Sequence, residues 1–479
     1  MILDRIQELL SQFTALWWAN DTGTLALGPA YSARQQAARE AHLERFLDTV
    51  TAELERIASP PRSGGFRDSP PTPGGQPSPP LRGGLTGDPM YPSAPTGDSP
   101  PTPGEQPSPP RNNRLPTQER ILSAFATFAR SALDFEQRHL DVLLSRGFTQ
   151  ALTEFAQAAH RFDPALSGGD VFQASRNVSA MNGLQLLLGK PVALTPAIFA
   201  YSMLYPYSDN YLDDPAIPPE AKAAFNDRLA RRLAGEDVTP GDARERIVYD
   251  LVGMIEGQYD RPHYPHVFES LLAIHRAQGE SVRLLHRQAS PYEVDVLGIS
   301  LEKGGASVLA DGYLVAGSLT QAQEEFLFGW GAFLQLVDDL QDVAGDRQGG
   351  LLTVFSQTAT HWPLDGLTDR AFQFGARVLQ RLDCFDAPGP DSVALKELMR
   401  RSATLLLVDA AGRAGRFHTR RYLRDLEAHS PFRFSFLNRS RKKLVRQRVS
   451  LVRALEAFAA SENTAPPGLL STGQPSRGP

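Results

Sequence analysis

A single cysteine, Cys384, stands in 479 residues, which excludes an internal disulfide framework and any cysteine-rich zinc site and fits a reducing cytoplasm. There is no excess of basic charge either. The formal net charge of −5 argues against a general nucleic-acid binder. No apolar run is long and clean enough to span a bilayer: the most apolar stretch, "MNGLQLLLGKPVALTPAIFAYSMLYPY", is broken by Lys190, Pro191 and Pro196. The N-terminal "MILDRIQELLSQFTALWW" carries Asp4, Arg5 and Glu8 among its apolar residues and reads as an amphipathic helix, not a signal peptide. Alternating apolar and polar patterning, the mark of half-buried strands, is also missing. So is a phosphate-cradling glycine loop, since "GDRQGG" lacks the Lys-Ser/Thr ending. His263 and His266 in "RPHYPHVF" are disturbed by Pro262 and Pro265 and have no accompanying carboxylates, so they do not read as a zinc pair.

What is present is mostly helical periodicity. Apolar residues recur at three- and four-residue spacing over 117–163, 219–235, 243–258, 265–288, 320–344, 369–383, 392–426 and 439–460. Prolines and glycines fall between these stretches, where helix boundaries belong. One segment differs. "DSPPTPGGQPSPP" at 68–80 recurs at 98–110 with 12 of 13 positions identical, and so little apolar surface does not offset ordering entropy. The expected organisation is a helical segment over 1–58, a disordered Pro/Gly/Ser-rich insert over 59–116, an all-α domain over 117–460 and a disordered tail over 461–479.

Two acidic clusters follow apolar helices. In "LQLVDDLQDVAGD", Asp338, Asp339, Asp342 and Asp346 fall within nine residues. On one helix, Asp338, Asp342 and Asp346 share a face. Two carboxylates about 6 Å apart at an effective dielectric of 20 repel by about 3 kcal/mol, so a hard divalent cation with oxygen ligands is the natural counter-charge. Mg²⁺ typically combines such carboxylates with substrate phosphates. The second cluster, "SDNYLDDP", places Asp209, Asn210, Asp213 and Asp214 at a helix end. Two such ends facing one another would hold a metal-bound diphosphate between them.

With these residues the chain resembles the class I isoprenoid synthases, the helical superfamily of prenyl diphosphate, squalene, phytoene and terpene synthases. "LQLVDDLQDVAGD" is similar to their second aspartate-rich motif, including Gln335 before it. "SDNYLDD" is similar to the first, with Asn210 in place of its second aspartate. "LEKGGASVLADGYLVAG" is similar to the helix whose lysine, here Lys303, binds diphosphate. The resemblance runs from about Phe172 to Leu426. It implies a class I isoprenoid synthase-like helical bundle, with metal at Asp209, Asn210, Asp213, Asp338, Asp339, Asp342 and Asp346. Of these, Asp209, Asp213, Asp338 and Asp342 are the expected catalytic carboxylates. The cofactor it implies is Mg²⁺, three ions with the substrate diphosphate, with Mn²⁺ as a substitute. Lys303, Arg228 and Gln335 are the expected substrate-binding residues. Arg421 and Tyr422 stand at the distance of a diphosphate-sensing Arg-Tyr pair.

The departures select among members. Chain-elongating enzymes carry basic segments for isopentenyl diphosphate. Here the upstream stretch offers only Arg176, and no arginine follows Asp213 until Arg228. The expectation is therefore a terpene synthase that ionises one prenyl diphosphate, C15–C20 or a cyclised derivative, to a hydrocarbon or alcohol. The alternatives are a prenyltransferase, elongating or head-to-head, and a non-catalytic helical interaction protein. Phe199, Tyr205, Trp330 and Phe333 are candidate aromatic faces for a carbocation. Asp311, two turns beyond Lys303, is open to a pocket role, a role beside the metal, or a salt bridge. Residues 411–448 hold twelve Lys or Arg against two acids, so peripheral membrane contact stays open beside the absent transmembrane segment. A homodimer is equally open, and the expected compartment is the cytoplasm.

Overall fold

The computed structural model describes residues 2–19, 27–58, 117–214, 216–285 and 294–442. The insert at 59–116, the periodic stretch beyond 442 and the tail at 461–479 lie outside the described residues, as do the side chains of Tyr205, Asp209 and Asp213. In chain order the helices are α1 (Ile2–Trp18), α2 (Ala33–Ala58), α3 (Thr117–Leu133), α4 (Gln137–Leu143), α5 (Arg146–Phe162), α6 (Gly168–Leu187), α7 (Pro196–Asp213), α8 (Pro219–Leu233) and α9 (Ala243–Gln258). There follow α10 (Pro265–Ser281), α11 (Val296–Ala316), α12 (Gln321–Gln341), α13 (Val343–Gly349), α14 (Val354–Thr358), α15 (Asp365–Leu379), α16 (Pro390–Arg413) and α17 (Arg420–Glu427). Among the described residues there is no strand beyond an isolated bridge between Leu285 and Leu351, so the protein is all-α. No described helix is long and apolar enough to cross a membrane.

The centre is a hairpin of α11 and α12. Asp295 caps α11 by accepting from the Gly298 amide, and Gly317, at φ 76°, ends it. Thr320 and Gln323 form a reciprocal capping box that starts α12. The two helices approach so closely that a Cβ on Gly331 would lie 2.1 Å from the Gly304 carbonyl oxygen, and one on Gly304 would lie 2.4 Å from that of Gly331. Only glycine permits that backbone contact, and the crossing sets the depth of everything on these helices.

The N-terminal helix belongs to the same core. Ile2, Ile6, Leu9, Phe13 and Trp17 form one buried stripe of α1, and Phe13 packs 5.8 Å from Phe328 and 6.0 Å from Phe374 between ring centroids. Arg5 ties the outer face of α1 to Glu324 and Glu325 of α12. So α1 is continuous with the core of the later helices. A smaller apolar cluster lies between α2, α3 and the C-terminal stretch: Phe128, Ala132, Phe432 and Phe436, with Leu43 and Phe46 against it.

Periodicity marks helix better than it marks helix ends. The stretch 117–163 is three helices, divided at Asp134, which has φ 55°, and at the Ser145 cap. The stretch 392–426 contains α16 and α17, with a short turn at Gly415–Phe417 between them.

Candidate functional site

Helices α6, α7, α8, α10, α11 and α12, with Leu406 of α16, enclose a cavity of about 590 Å³. Much of its wall is aliphatic, including Leu204, Leu229, Leu233, Leu271, Ile274 and Val308. A polar streak runs along it. Lys303, Ser307 and Asp311 line it from successive turns of one face of α11, Arg176 and Asn177 from α6, and Gln335, Asp338 and Gln341 from α12. Ser208 and Leu212 of α7 complete the wall near the first acidic cluster.

The second acidic cluster is arranged around the end of α12. Asp338 stands on the cavity wall, reachable by solvent. Its surroundings push its pKa up, first through desolvation and then through Asp342, while Lys303, Arg176 and Arg413 pull it down. Asp339 is 5% exposed and accepts from Nε2 of the cavity-lining Gln335 at 2.8 Å. Burial holds it at about 6, and its Oδ2 has no protein partner. Asp346 is pushed to about 7 by burial and by the other three aspartates, with Lys303 opposing.

The expected single helical face is interrupted. Helix α12 stops at Gln341, and Asp342, at φ −101° and ψ 8°, is both its C-cap and the N-cap of α13. The amide of Asp342 still bonds the Asp338 carbonyl, and that of Asp346 the Asp342 carbonyl, so the carboxylates stay near one another across the break. Among the described residues, no group of three or more His, Cys, Asp or Glu side chains stands in a metal-holding arrangement.

At the first cluster, Asn210 is exposed and donates from Nδ2 to Asp170 Oδ1 at 3.1 Å. Asp170 comes from the first turn of α6, where Ser167 caps it, so α6 adds a carboxylate that the sequence reading did not include. Asp214 is the C-cap of α7 and accepts from the Ala216 amide.

Other expected site residues lie away from this cavity wall. Arg228 is not on the cavity wall. It forks onto Glu245, with Nε at 2.9 Å from Oε2, and Glu245 is 3% exposed, so the pair ties α8 to α9. Arg421 is exposed, with Asp425 at 3.9 Å. Tyr422 donates its hydroxyl to Asp369 at 2.7 Å and stacks on His418, which binds α17 to α15 instead of the cavity. The proposed aromatic faces are core: Phe199 packs on Phe155 and Phe162, and Trp330 stacks between Phe326 and Phe333. Among the described residues, the aromatic side chain that lines the cavity is Tyr201, with the His275 imidazole nearby on the wall.

The residues brought together at the cavity are therefore Lys303, Gln335 and Asp338, joined by Arg176 and by the charge of Arg413. A helix alone gives no hint of Arg413, whose proximity to Asp338 depends on how α16 packs. No protein-family model, no curated protein and no solved structure matches the chain.

Proposed function

We propose that the protein is a class I isoprenoid synthase of the terpene synthase kind, releasing diphosphate from one prenyl diphosphate of C15–C20 size or a cyclised derivative. The observation that carries this reading is the combination, in one cavity of about 590 Å³, of aliphatic walls with Lys303, Arg176 and Asp338 together on its polar side. That combination suits a ligand with an anionic head and an apolar body. The resemblance of the two aspartate-rich segments and the lysine helix supports the same reading.

The donors around Asp338 suit a hard cation. They are carboxylate oxygens, crowded enough to raise one another's pKa, and the unpaired Oδ2 of Asp339 is a buried acceptor without a donor. Asp338, Asp342 and Asp346 would hold Mg²⁺, with Asp339 behind them. Bound there, Mg²⁺ supplies Lewis-acid neutralisation of the leaving diphosphate. The chain's own part is to bind and orient. Lys303 donates charge-assisted hydrogen bonds to the phosphate oxygens, and Arg176 adds a second donor. The leucine and isoleucine wall holds the hydrocarbon and limits water around the allylic carbon.

One observation favours the prenyltransferase alternative. Arg413, paired with Asp409 and acting on Asp338, adds one cation beyond Lys303 and Arg176, which narrows the shortage of positive charge that disfavours a second diphosphate.

Calorimetry with the unreactive thiolodiphosphate of farnesol tests the shared part of both readings. Binding should require Mg²⁺ and weaken at least about tenfold in Lys303→Gln, the scale of one hydrogen bond to a charged group. Absence of binding with and without Mg²⁺ would overturn the proposal and leave the interaction-protein alternative.

A further inference from the structure

The polar streak of the cavity does not stop at the anionic-head end. From Lys303 to Asp311 is eight residues of α11, about 12 Å at 1.5 Å per residue, and both side chains line the same cavity. Asp311 is only 3% exposed. One of its oxygens, Oδ1, has no hydrogen-bond partner in the protein. The carboxamide of Asn177 from α6 stands beside the carboxyl group and opposes its upward shift, and its Nδ2 donates to Ser202 Oγ of α7 at 3.2 Å. Three polar side chains from three helices thus meet on a wall otherwise rich in leucine.

Packing alone does not account for that arrangement. A carboxyl group that served only to join helices would be met by Lys or Arg, or have both oxygens satisfied. This one has neither, and a leucine would fill its place at lower cost. Its protonation state narrows what it recognises. Burial pushes its pKa to about 8, so at neutral pH it is largely the uncharged acid, with one O–H to donate and a carbonyl oxygen to accept. Together with the Ser202 hydroxyl this is a donor–acceptor set. It complements a neutral group that both donates and accepts.

We infer that the Asp311–Asn177–Ser202 corner is a binding site for a hydroxyl group on the ligand's chain, about two helical turns of α11 from the anionic head. The substrate class is then a prenyl diphosphate oxygenated near its far end, not a plain hydrocarbon chain. The orientation of this ligand rests on the head-group reading above; the hydroxyl site itself rests on the α6–α7–α11 corner.

Calorimetry on two ligand pairs separates the two. One pair is farnesol and 12-hydroxyfarnesol; the other is their thiolodiphosphates with Mg²⁺. In both pairs the hydroxylated member should bind at least about tenfold more tightly to the wild-type protein. Asp311→Leu should bring that ratio to about one. If the plain thiolodiphosphate binds and no hydroxyl preference appears in either pair, the inner site is wrong and the head-group reading stands. If the alcohols show the preference and neither thiolodiphosphate binds, the inner site stands and the proposed function falls. Absence of binding by all four overturns both. Should Asp311→Leu fail to fold, the wild-type protein still decides. The component of its protonated-carboxyl infrared band that Asp311→Asn removes should shift with 12-hydroxyfarnesol and not with farnesol; equal spectra would overturn the inference.

Discussion

At one end of the cavity Asp338 stands among three other aspartates, with Lys303, Arg176 and Arg413 acting on it; at the other, Asp311 has a carboxamide and a hydroxyl for company. Both carboxyls are pushed up by desolvation, yet the remedies differ. Crowded carboxylates beside a solvent-reachable wall would be relieved by a cation from water. An isolated carboxyl 3% exposed is relieved only by keeping its proton. One cavity therefore has an end built for charge and an end built for a neutral hydrogen bond. The helix α11 fixes the spacing between them.

Removing the carboxyl from each end should expose that difference most strongly. Asp338→Ala should cost at least ~10² in turnover, the scale of losing one preorganised electrostatic contact, while Asp311→Asn should keep diphosphate release from farnesyl diphosphate within about tenfold. Steady-state diphosphate release at saturating Mg²⁺ reads both. Near-wild-type turnover in Asp338→Ala would erase the distinction between the ends.

The next effect is in stability against pH. The folded-state pKa of Asp311, about 8, lies above its unfolded value near 4. Between those pH values the folded protein holds a proton that the unfolded chain has released. Stability from this group therefore falls as pH rises from about 4 to about 8 and is level above. Asp311→Asn removes the effect, so the variant should gain on wild type by up to about 1.4 kcal/mol per pH unit in that window. Asp339 and Asp346 titrate with the same sign, but they cancel in the difference. Parallel urea-unfolding midpoints for the two proteins from pH 5 to pH 8 would contradict a neutral Asp311.

Much of this architecture was readable from spacing. Three- and four-residue periodicity is a property of the helix surface, and it located most of the helices. The aspartates of 338–346 stood out because an apolar run precedes them. The break at Asp342 was not readable, since Val343 continues the apolar rhythm through it. The cavity face of α12 was hidden for a related reason. A helix deep in a bundle is apolar nearly all round, so nothing in "FLFGWGAFLQLV" tells the core-facing Phe333 from the cavity-facing Leu334 and Gln335. The pairing of Arg228 with Glu245 is not legible in the sequence, because Glu245 lies on another helix and is buried by tertiary packing. Asp311 fell on the right face by its spacing from Lys303, but an oxygen's lack of a partner exists only in three dimensions.

Smaller effects test the residues that lie away from both ends. Arg228→Ala strands the buried Glu245. Because the guanidinium is itself 32% exposed, the loss should stay below the about 3 kcal/mol of a fully buried pair, with turnover unchanged. Tyr422→Phe deletes one hydrogen bond to Asp369 and should cost about 1 kcal/mol, again without a kinetic effect. Denaturant titration and the diphosphate assay, run on the same preparations, check both. A hundredfold kinetic loss in either variant would return that residue to the site.

The central claim is that the charged end handles one diphosphate at a time. It is tested most directly by supplying farnesyl or geranylgeranyl diphosphate with Mg²⁺, with and without isopentenyl diphosphate, and measuring released diphosphate and organic product. The account predicts diphosphate together with a hydrocarbon or alcohol when the allylic substrate is alone, and larger kcat/KM for its hydroxylated analogue. Release only on addition of isopentenyl diphosphate, with a longer prenyl diphosphate as product, would contradict it.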